Sequence, residues 1–471
     1  MGIISIIKYQ LYLLQLEEYE IPRYWRLLLK KGYFMPKQPL RNVLVWTLKA
    51  RLIFALTLLV YGLAFVLLAL ESGVYFALAW LVVGPLVLPI LYTFSLILLR
   101  PLEFLVKRVI ISKAKNIVKS SNVKIIGIAG SYGKTTMKNV LTSILSAKLK
   151  AQATPKSVNT PVGIAQWLIK SCQEKPEVLI IEMGEHYRGD IKNLCSITPP
   201  DIAILCGINE AHLERLKNIE NSIATIFEIV EGSKEDALLI LSADDQHIRE
   251  NYQKYVNNKN VSFYSYLNNP LANLQIKERR FDVEGLFWSF TIEGLGEMRT
   301  RILGEYILGD IIASVTVAQS LGLSPEEIRK GINKIEPIEH RLQPVKSQGG
   351  ILVIDDSYNG NPKGAHEAIG LLSRFQHRRK IFLTPGLVET GPKMKEIHKI
   401  IGRELAGVAN LVILIKNSVT PHIAKGLVDG GFDESKIVWF NTAQEAHNKL
   451  GNILKPNDVI LFQNDWGDQY L

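Results

Sequence analysis

A short glycine-rich segment carries the strongest chemical signal in the sequence. Residues 130–136 read Gly-Ser-Tyr-Gly-Lys-Thr-Thr and lie between an apolar run and a helical pattern. Glycines let backbone N–H groups approach phosphate oxygens, the helix N-terminus adds its positive end, and the lysine reaches the outer phosphates. A full Walker A motif would have a glycine at position 128, where this chain has Ile128. We favour nucleotide binding over a structural loop, and the predicted nucleotide contacts are Gly130, Ser131, Gly133, Lys134, Thr135 and Thr136.

Carboxylate, histidine and amide side chains recur near the ends of other apolar segments. Glu182 closes the run Val-Leu-Ile-Ile, and His212 lies in Asn-Glu-Ala-His-Leu-Glu. Because α/β sheets bind ligands at the carboxyl ends of their strands, such side chains can meet at one site. Taken singly, Glu182 also fits a solvated strand end and His212 an ordinary surface histidine. Asp355 and Asp356, before Asn-Gly and Asn-Pro, also fit the start of a turn.

The elements that must position these residues begin at about residue 122. From there, short apolar runs alternate with helical stretches, which is typical of a doubly wound α/β fold with a parallel sheet. Residues 251–297, which include Asn-rich turns and Phe-Trp-Ser-Phe-Thr-Ile, are more typical of short antiparallel strands. An Ile-Glu-Pro-Ile linker places a domain boundary near Pro337.

Seven segments, taken in order, resemble the motifs of the Mur ligase family. The glycine-rich loop is similar to the family's ATP loop, and the last two segments are similar to the branch that adds D-alanyl-D-alanine. The shared order is more specific than any single motif. The segments are residues 130–136, 159–163, 182–184, 209–214, 340–343, 355–362 and 384–389.

The resemblance implies a peptide ligase that uses ATP and Mg²⁺. In this chemistry the γ-phosphoryl group moves to a carboxylate oxygen, and an amine attacks the resulting acyl phosphate. Cations must offset the charge on the phosphates. The implied roles are catalysis for Lys134, Glu182 and His212; Mg²⁺ binding for Thr135, Glu182 and His212; nucleotide contact for Arg341 and Asp356; and substrate contact for Asn159, Asn359 and Asn361.

The sequence also differs from the family pattern in four places. Membrane-type helices replace the N-terminal domain that binds the UDP part of the substrate. Ile226 occupies the position of the family's carbamoylated lysine, with Glu228 as a possible substitute ligand. Tyr306-Ile307 stands in place of a His-Asn pair, and Gln463-Asn-Asp-Trp466 in place of a Lys-Gly-Ser-Arg type segment. These differences leave open an altered substrate, a slower enzyme or a nucleotide-binding relic.

Two uncharged apolar runs predict a transmembrane helical hairpin. Residues 52–70 and 74–99 are each long enough to cross a hydrocarbon core of about 30 Å, and Glu-Ser-Gly separates them. Basic residues flank both sides, which predicts that both flanks are cytoplasmic. Residues 1–50 fit either an amphipathic segment on the inner leaflet or a basic arm with no special role. A buried hairpin in a soluble domain is the less favoured alternative.

Composition sets the remaining limits. Lys and Arg number 55 against 45 Asp and Glu, which gives a formal net charge of +10. This excess fits phosphate-bearing ligands or an anionic membrane surface and requires no nucleic acid. Cys172, Cys195 and Cys206 form no CxxC pair, which favours a reduced, cytosolic main body.

The prediction is an α/β fold: a P-loop Mur-type ATP-binding domain (116–337) and a Rossmann-like C-terminal domain (338–471), preceded by a basic cytoplasmic segment (1–50) and a two-helix transmembrane hairpin (51–100). The expected function is a ligase anchored to the inner membrane that acts on ATP, an amino acid or dipeptide, and a UDP- or lipid-linked cell-wall peptide. One alternative is a non-catalytic nucleotide-binding scaffold. Another, a transport ATPase, is weakened by having only two predicted spans.

Overall fold

The structure, a computed structural model, describes residues 3–31, 44–156, 158–209, 213–345, 349–358, 360–388 and 390–464. Two predicted site residues, His212 and Asn359, lie outside the described residues. The chain divides into two compact units, with the boundary between Val109 and Ile110.

The first unit is built from helices. Its N-terminal helix packs against the rest of the unit, because Leu11 and Leu14 are fully buried and the Tyr92 hydroxyl donates to the Ile7 carbonyl at 2.9 Å. The helices are α1 (Ile3–Leu16), α2 (Ile21–Lys31), α3 (Leu48–Glu71) and α4 (Val74–Ser120), and α4 from Ile110 onward belongs to the second unit.

Helices α3 and α4 are, among the described residues, the two that are long and apolar enough to cross a membrane. Leu63 and Val82 on their surfaces are 57% and 78% exposed. Inside the pair, the hydroxyls of Thr57 and Ser95 share a buried hydrogen bond of 3.0 Å. An apolar exterior with satisfied polar groups inside is what a lipid environment requires of a helix pair.

The second unit begins with a mixed sheet whose central strands are buried on both faces. Within the described residues it has nine strands in the order β2-β3-β1-β4-β5-β6-β7-β8-β9. Neighbours are parallel as far as β7, and β7, β8 and β9 pair antiparallel. The strands are β1 (Lys124–Ala129), β2 (Ala151–Ala153), β3 (Val178–Glu182), β4 (Ile202–Leu205), β5 (Leu238–Ser242), β6 (Asn260–Ser265), β7 (Leu274–Asp282), β8 (Phe287–Ile292) and β9 (Gly296–Thr300).

Helices cover both faces of this sheet, and each face has its own hydrophobic core. One core joins α5, α11 and α12 to the sheet, and the other joins α6, α7 and α9 to it. These helices are α5 (Lys134–Leu145), α6 (Pro161–Ser171), α7 (Asp190–Cys195), α8 (Leu213–Leu216), α9 (Ile219–Gly232), α10 (Gln246–Asn251), α11 (Ile307–Ser320) and α12 (Pro325–Ile332).

A second sheet follows from β10 onward. Within the described residues it has six strands in the order β10-β11-β15-β12-β13-β14, parallel except for the β10–β11 pair. Its strands are β10 (Gln343–Val345), β11 (Leu352–Asp356), β12 (Arg379–Thr384), β13 (Leu411–Ile415), β14 (Ile437–Phe440) and β15 (Asp458–Gln463), and its helices are α13 (Pro362–Ser373), α14 (Met394–Ala406), α15 (Thr420–Asp429) and α16 (Ala443–Ile453).

The α/β fold predicted from the alternating pattern is confirmed, with two sheets that are mixed rather than wholly parallel. The antiparallel part begins later than predicted, at β7. Strand β6 lies within the segment predicted to be antiparallel but pairs parallel with β5. The intervening α10 explains this, because a helical crossover returns the chain in the same direction.

Candidate functional site

The glycine-rich loop joins β1 to α5 and is held against the end of β4. Gly130 and Gly133 have φ values of +152° and +80°, which residues that carry a side chain rarely adopt. The Ser131 N–H donates to the Gly207 carbonyl at 2.8 Å. A Cβ on Gly207 would lie 2.2 Å from the Tyr132 ring, so only glycine leaves room for this packing. The loop is therefore fixed at the start of a buried helix.

Lys134, the first residue of α5, extends back over the loop. Its ammonium donates to the Gly130 carbonyl and pairs with Glu185 Oε1 at 2.8 Å. The Glu185 side chain is 1% exposed. Its other oxygen, Oε2, has no hydrogen-bond partner among the described residues. The lysine thus lies between the loop backbone and a buried carboxylate.

Glu182 forms a second buried ion pair beside the first. This last residue of β3 pairs with Lys138 at 2.8 Å, and the Thr135 hydroxyl lies 3.1 and 3.2 Å from its two oxygens. Its backbone N–H donates to the Thr154 hydroxyl at 3.2 Å. A carboxylate and a threonine hydroxyl beside the loop are the oxygen ligands that Mg²⁺ prefers.

Asn159 lies against the chain that carries these carboxylates. A Cβ on Gly184 would lie 2.7 Å from the Asn159 side chain, and the Gly184 N–H donates to the Asn159 carbonyl at 3.3 Å. The absence of a side chain at position 184 therefore allows Asn159 to enter the same cavity as Glu182.

The second sheet supplies the opposite wall of the cavity. The Arg341 guanidinium lies 5.0 Å from the centre of the Tyr358 ring. Burial raises the pKa of Asp356 to about 7, while Arg341 and the Leu342 N–H act in the opposite direction. That N–H donates to Asp356 Oδ1 at 3.2 Å. Burial also raises the pKa of Tyr306, which remains a neutral hydroxyl in the same cavity.

Direct hydrogen bonds join the two walls. The Asn209 amide donates to Asn361 Oδ1 at 2.9 Å, and the same oxygen caps α13 by accepting from the Gly364 N–H at 3.0 Å. Lys363 donates to the Tyr132 hydroxyl at 2.9 Å, and Tyr132 in turn donates to an Asp245 oxygen at 3.0 Å. The glycine-rich loop is therefore in contact with the start of α13.

The structure brings most of the predicted site residues to one cavity. Gly130 belongs to the loop beside it, and His212 and Asn359 are outside the described residues. The predicted residues that line the cavity are Ser131, Gly133, Lys134, Thr135, Thr136, Asn159, Glu182, Arg341, Asp356 and Asn361.

Ile226, which differs from the family pattern, and Glu228, named as its possible substitute, both have structural roles. Ile226 is fully buried in the core, so its side chain supplies no metal ligand. Glu228, the possible substitute ligand, accepts hydrogen bonds from the N–H groups of Gly189 and Lys192 at 2.7 and 3.0 Å. It therefore caps α7, and its role as a substitute metal ligand stays a prediction.

The sequence did not identify four side chains that contact the loop region: Lys138, Glu185, Tyr132 and Lys363. Helical spacing after Lys134 gives a signal for Lys138, because residues four apart share a helix face. Glu185 lies three residues beyond the predicted ligand Glu182, past a glycine, and no regular element predicts where its side chain points. Lys363 meets Tyr132 only through the packing of the two sheets.

Two protein-family models match this chain. The Mur ligase middle domain matches residues 128–318, and the Mur ligase, glutamate ligase domain matches residues 340–463. Between them they span most of the first sheet, the second sheet and every described residue that lines the cavity.

Several curated relatives carry the name UDP-N-acetylmuramoyl-tripeptide–D-alanyl-D-alanine ligase. The relative from Bacillus subtilis is 24% identical over 356 residues, which are 75% of this chain and 76% of that protein. The one from Buchnera aphidicola is 27% identical over 60% of this chain and 62% of its own length. This chain thus spans less than two thirds of some relatives.

Solved structures with the same name have the same fold. A MurF ligase from Thermotoga maritima in complex with ADP is 25% identical, with a TM-score of 0.66 over 76% of this chain and 80% of that one. MurF from Acinetobacter baumannii has a TM-score of 0.67 at 22% identity, over 77% of this chain and 78% of that one.

Proposed function

Because this chain belongs to the Mur ligase family, we propose that it is a membrane-anchored, ATP-dependent ligase that joins an amine to a carboxylate of a cell-wall peptide. One observation carries the proposal: a single cavity holds the glycine-rich loop, Lys134 and Glu182 on one wall and Arg341 and Asp356 on the other. The ADP complex of the Thermotoga relative supports the assignment of a nucleotide to this cavity.

The loop acts as a phosphate-binding loop (P-loop) in this proposal. The N-terminus of α5 and the Lys134 ammonium stabilise negative charge on the β- and γ-phosphates. Arg341 approaches from the Rossmann-like C-terminal domain and contacts the same nucleotide. Thr136, in the first turn of the helix, lines the same cavity.

The reaction proceeds in two transfers. A carboxylate oxygen of the peptide attacks the γ-phosphorus, the bond to the β-phosphate oxygen breaks, and ADP leaves. The amine nitrogen then attacks the acyl carbon, the acyl carbon–oxygen bond breaks, and phosphate leaves as the amine loses a proton. Holding both reactants in one cavity lowers the entropic part of the barrier.

Mg²⁺ fits the donor set on the first wall. Thr135 and Glu182 supply adjacent oxygens, and His212 remains a proposed ligand from the sequence. Bound there, the ion would neutralise charge on the transferring phosphoryl group.

The names of the relatives support D-alanyl-D-alanine as the amine and a muramoyl tripeptide as the acceptor. We assign substrate contact to Asn159 and Asn361 from the described site and to Asn359 from the sequence. Both UDP-linked and lipid-linked acceptors fit the chemistry. The apolar helices favour the lipid-linked form, because an anchored enzyme stays at the surface where such an acceptor lies.

Helices α3 and α4 form the proposed hairpin in the inner membrane, with both flanks in the cytoplasm. The proposed domains are the N-terminal segment (1–50), the hairpin (51–100), the ATP-binding domain (116–337) and the C-terminal domain (338–471). No nucleic acid is part of the proposal.

A non-catalytic scaffold is the second candidate, and the burial of Ile226 favours it. A site with one metal ligand fewer binds nucleotide while transferring its phosphate slowly. The rate of phosphate release, and not nucleotide binding alone, therefore distinguishes the ligase from the scaffold.

The test is phosphate release from ATP by the full-length protein in detergent, with Mg²⁺, D-alanyl-D-alanine and either UDP- or lipid-linked tripeptide. We expect release that depends on both substrates and falls about 100-fold or more in Lys134→Ala, as when a key charge-stabilising donor is removed. Nucleotide binding without release for any acceptor would overturn the ligase and support the scaffold.

A further inference from the structure

Glu185 is a buried carboxylate beside the phosphate-binding loop with one oxygen unpaired. The residue is 2% exposed and lines the cavity. Oε1 pairs with Lys134 at 2.8 Å, and Oε2 has no hydrogen-bond partner among the described residues. An unpaired buried carboxylate oxygen is costly, so it marks a position where a cationic ligand is favourable.

The backbone around Glu185 is fixed on both sides. Before it, the Gly184 N–H donates to the Asn159 carbonyl. After it, the N–H groups of residues 186 and 187 donate to Asp190 Oδ2 at 2.9 and 2.8 Å. The side chain is therefore held in the cavity by the local fold, and ligand binding does not have to pay the cost of ordering it.

The pairing with Lys134 cannot remain the same when ATP is bound. In the proposed function, the Lys134 ammonium moves to the β- and γ-phosphates. Glu185 then loses its compensating charge while phosphate oxygens, also negative, enter the same cavity. A buried charge that loses its partner strongly destabilises the protein. A second cation beside Glu185 compensates the negative charge of both its carboxylate and the phosphates.

Resting on the proposed function, we propose that Glu185 is a direct ligand of the divalent cation that accompanies the nucleotide, on the same side of the cavity as Glu182 and Thr135. The three residues share two neighbouring structural segments: Thr135 follows Lys134 in α5, and Glu185 follows Glu182 by three residues. Glu182 keeps Lys138 as a partner at 2.8 Å, whereas the partner of Glu185 is Lys134, the lysine that the phosphates require. A bound cation therefore stabilises the carboxylate of Glu185 more than that of Glu182.

The alternative is that Glu185 acts as a brake, holding Lys134 away from the phosphates and binding no metal. The two roles predict opposite effects of removing its charge. A ligand that is removed weakens metal binding, and a brake that is removed strengthens nucleotide binding.

The experiment measures Mn²⁺ binding to the full-length protein by electron paramagnetic resonance, with a non-hydrolysable ATP analogue. Binding of the analogue alone, in EDTA, is measured in parallel. We expect Glu185→Gln to weaken Mn²⁺ binding to the analogue complex by about tenfold or more, the range seen when the surroundings of a metal are altered. Analogue binding in EDTA should not become tighter. Glu177→Gln, which removes a carboxylate just before β3, should match the wild type.

Unchanged Mn²⁺ binding together with tighter metal-free analogue binding in Glu185→Gln would overturn the proposal and establish the brake. If Glu185→Gln does not fold, Glu185→Asp decides: it keeps the charge beside Lys134 but shortens the reach, so weaker Mn²⁺ binding supports the ligand and wild-type binding contradicts it. Failure of the wild type to bind the analogue under any condition would instead refute the proposed function itself.

Discussion

At the residue scale, two buried ion pairs and one buried carboxylate lie in or beside the cavity. Lys134 pairs with Glu185, Lys138 pairs with Glu182, and Asp356 is buried beside Arg341. Pairs of this kind contribute little net stability, because the cost of removing two charges from water offsets their attraction. In the proposed function, these pairs make the cavity specific for a ligand that carries both phosphate and metal charge.

Asp356 gives a pH-dependent prediction. Burial raises its pKa to about 7, whereas an aspartate in the unfolded chain ionises near about pH 4. Between these values the folded protein binds one more proton than the unfolded chain. The free energy of unfolding therefore falls as the pH rises through this window, by about 1.4 kcal/mol per pKa unit of difference, and levels off above about pH 7.

The substitution Asp356→Asn should remove this pH dependence of the free energy of unfolding. In thermal unfolding without ligands, the Tm of the variant relative to the wild type should rise between about pH 4 and pH 7, because only the wild type acquires a buried charge. A constant Tm difference across that range would show that Asp356 ionises normally in the folded protein.

The glycine-rich loop and the side chains of Lys134 and Glu182 could be predicted from sequence because each lies at a strand end or helix start that the local pattern marks. The side chain of Glu185 could not. Its position depends on the close approach of Gly184 to Asn159, two segments that only the sheet order brings together.

At the element scale, the junction between β4 and the glycine-rich loop controls the shape of the site. Gly207→Ala would place a methyl group on the Tyr132 ring, and overpacking of this kind costs about 1–3 kcal/mol. We expect the loop to shift and ATP affinity to fall by about tenfold. Isothermal titration calorimetry with the non-hydrolysable ATP analogue measures the change in affinity.

Gly451→Ala is the matched control, because a Cβ there meets nothing within 4 Å. It should leave affinity unchanged. Equal affinities of both variants and the wild type would mean that the contact between Tyr132 and Gly207 does not set the loop geometry.

The element order of the two sheets was only partly predictable. Apolar runs such as those of β1, β3 and β4 predicted buried parallel strands. Strand β6 was assigned to an antiparallel region, because its flanking Asn residues are typical of turns and its pairing depends on the crossover through α10. Local composition does not encode such a crossover.

At the scale of the whole molecule, the proposal joins a Mur-type ligase to a helical hairpin. Ser72 lies at the turn between α3 and α4, and Lys113 lies near the end of α4; both are exposed. A hairpin that spans the inner membrane places the turn on the outer side and Lys113 in the cytoplasm.

Thiol labelling of intact cells with a membrane-impermeant maleimide tests this topology in a Cys172→Ser background. We expect Ser72→Cys to be labelled in intact cells and Lys113→Cys only after the membrane is permeabilised. Equal labelling of the two positions under both conditions would contradict a spanning hairpin.

The N-terminal helices show why the remaining part of the first unit was not predictable. Basic residues and mixed aromatics fitted both a surface segment and an arm. Burial of α1 depends on contacts such as that between Tyr92 and Ile7, which are distant in sequence. A periodic pattern identifies an apolar face but not the partner that covers it.

The most direct test of the account is the mass of the acceptor after incubation with the full-length protein, ATP, Mg²⁺ and D-alanyl-D-alanine. The account predicts that muramoyl tripeptide, in its UDP- or lipid-linked form, gains one dipeptide less one water while one ATP is converted to ADP and phosphate. Lys134→Ala should give no product. An acceptor of unchanged mass in both forms, despite bound nucleotide, would contradict the ligase assignment.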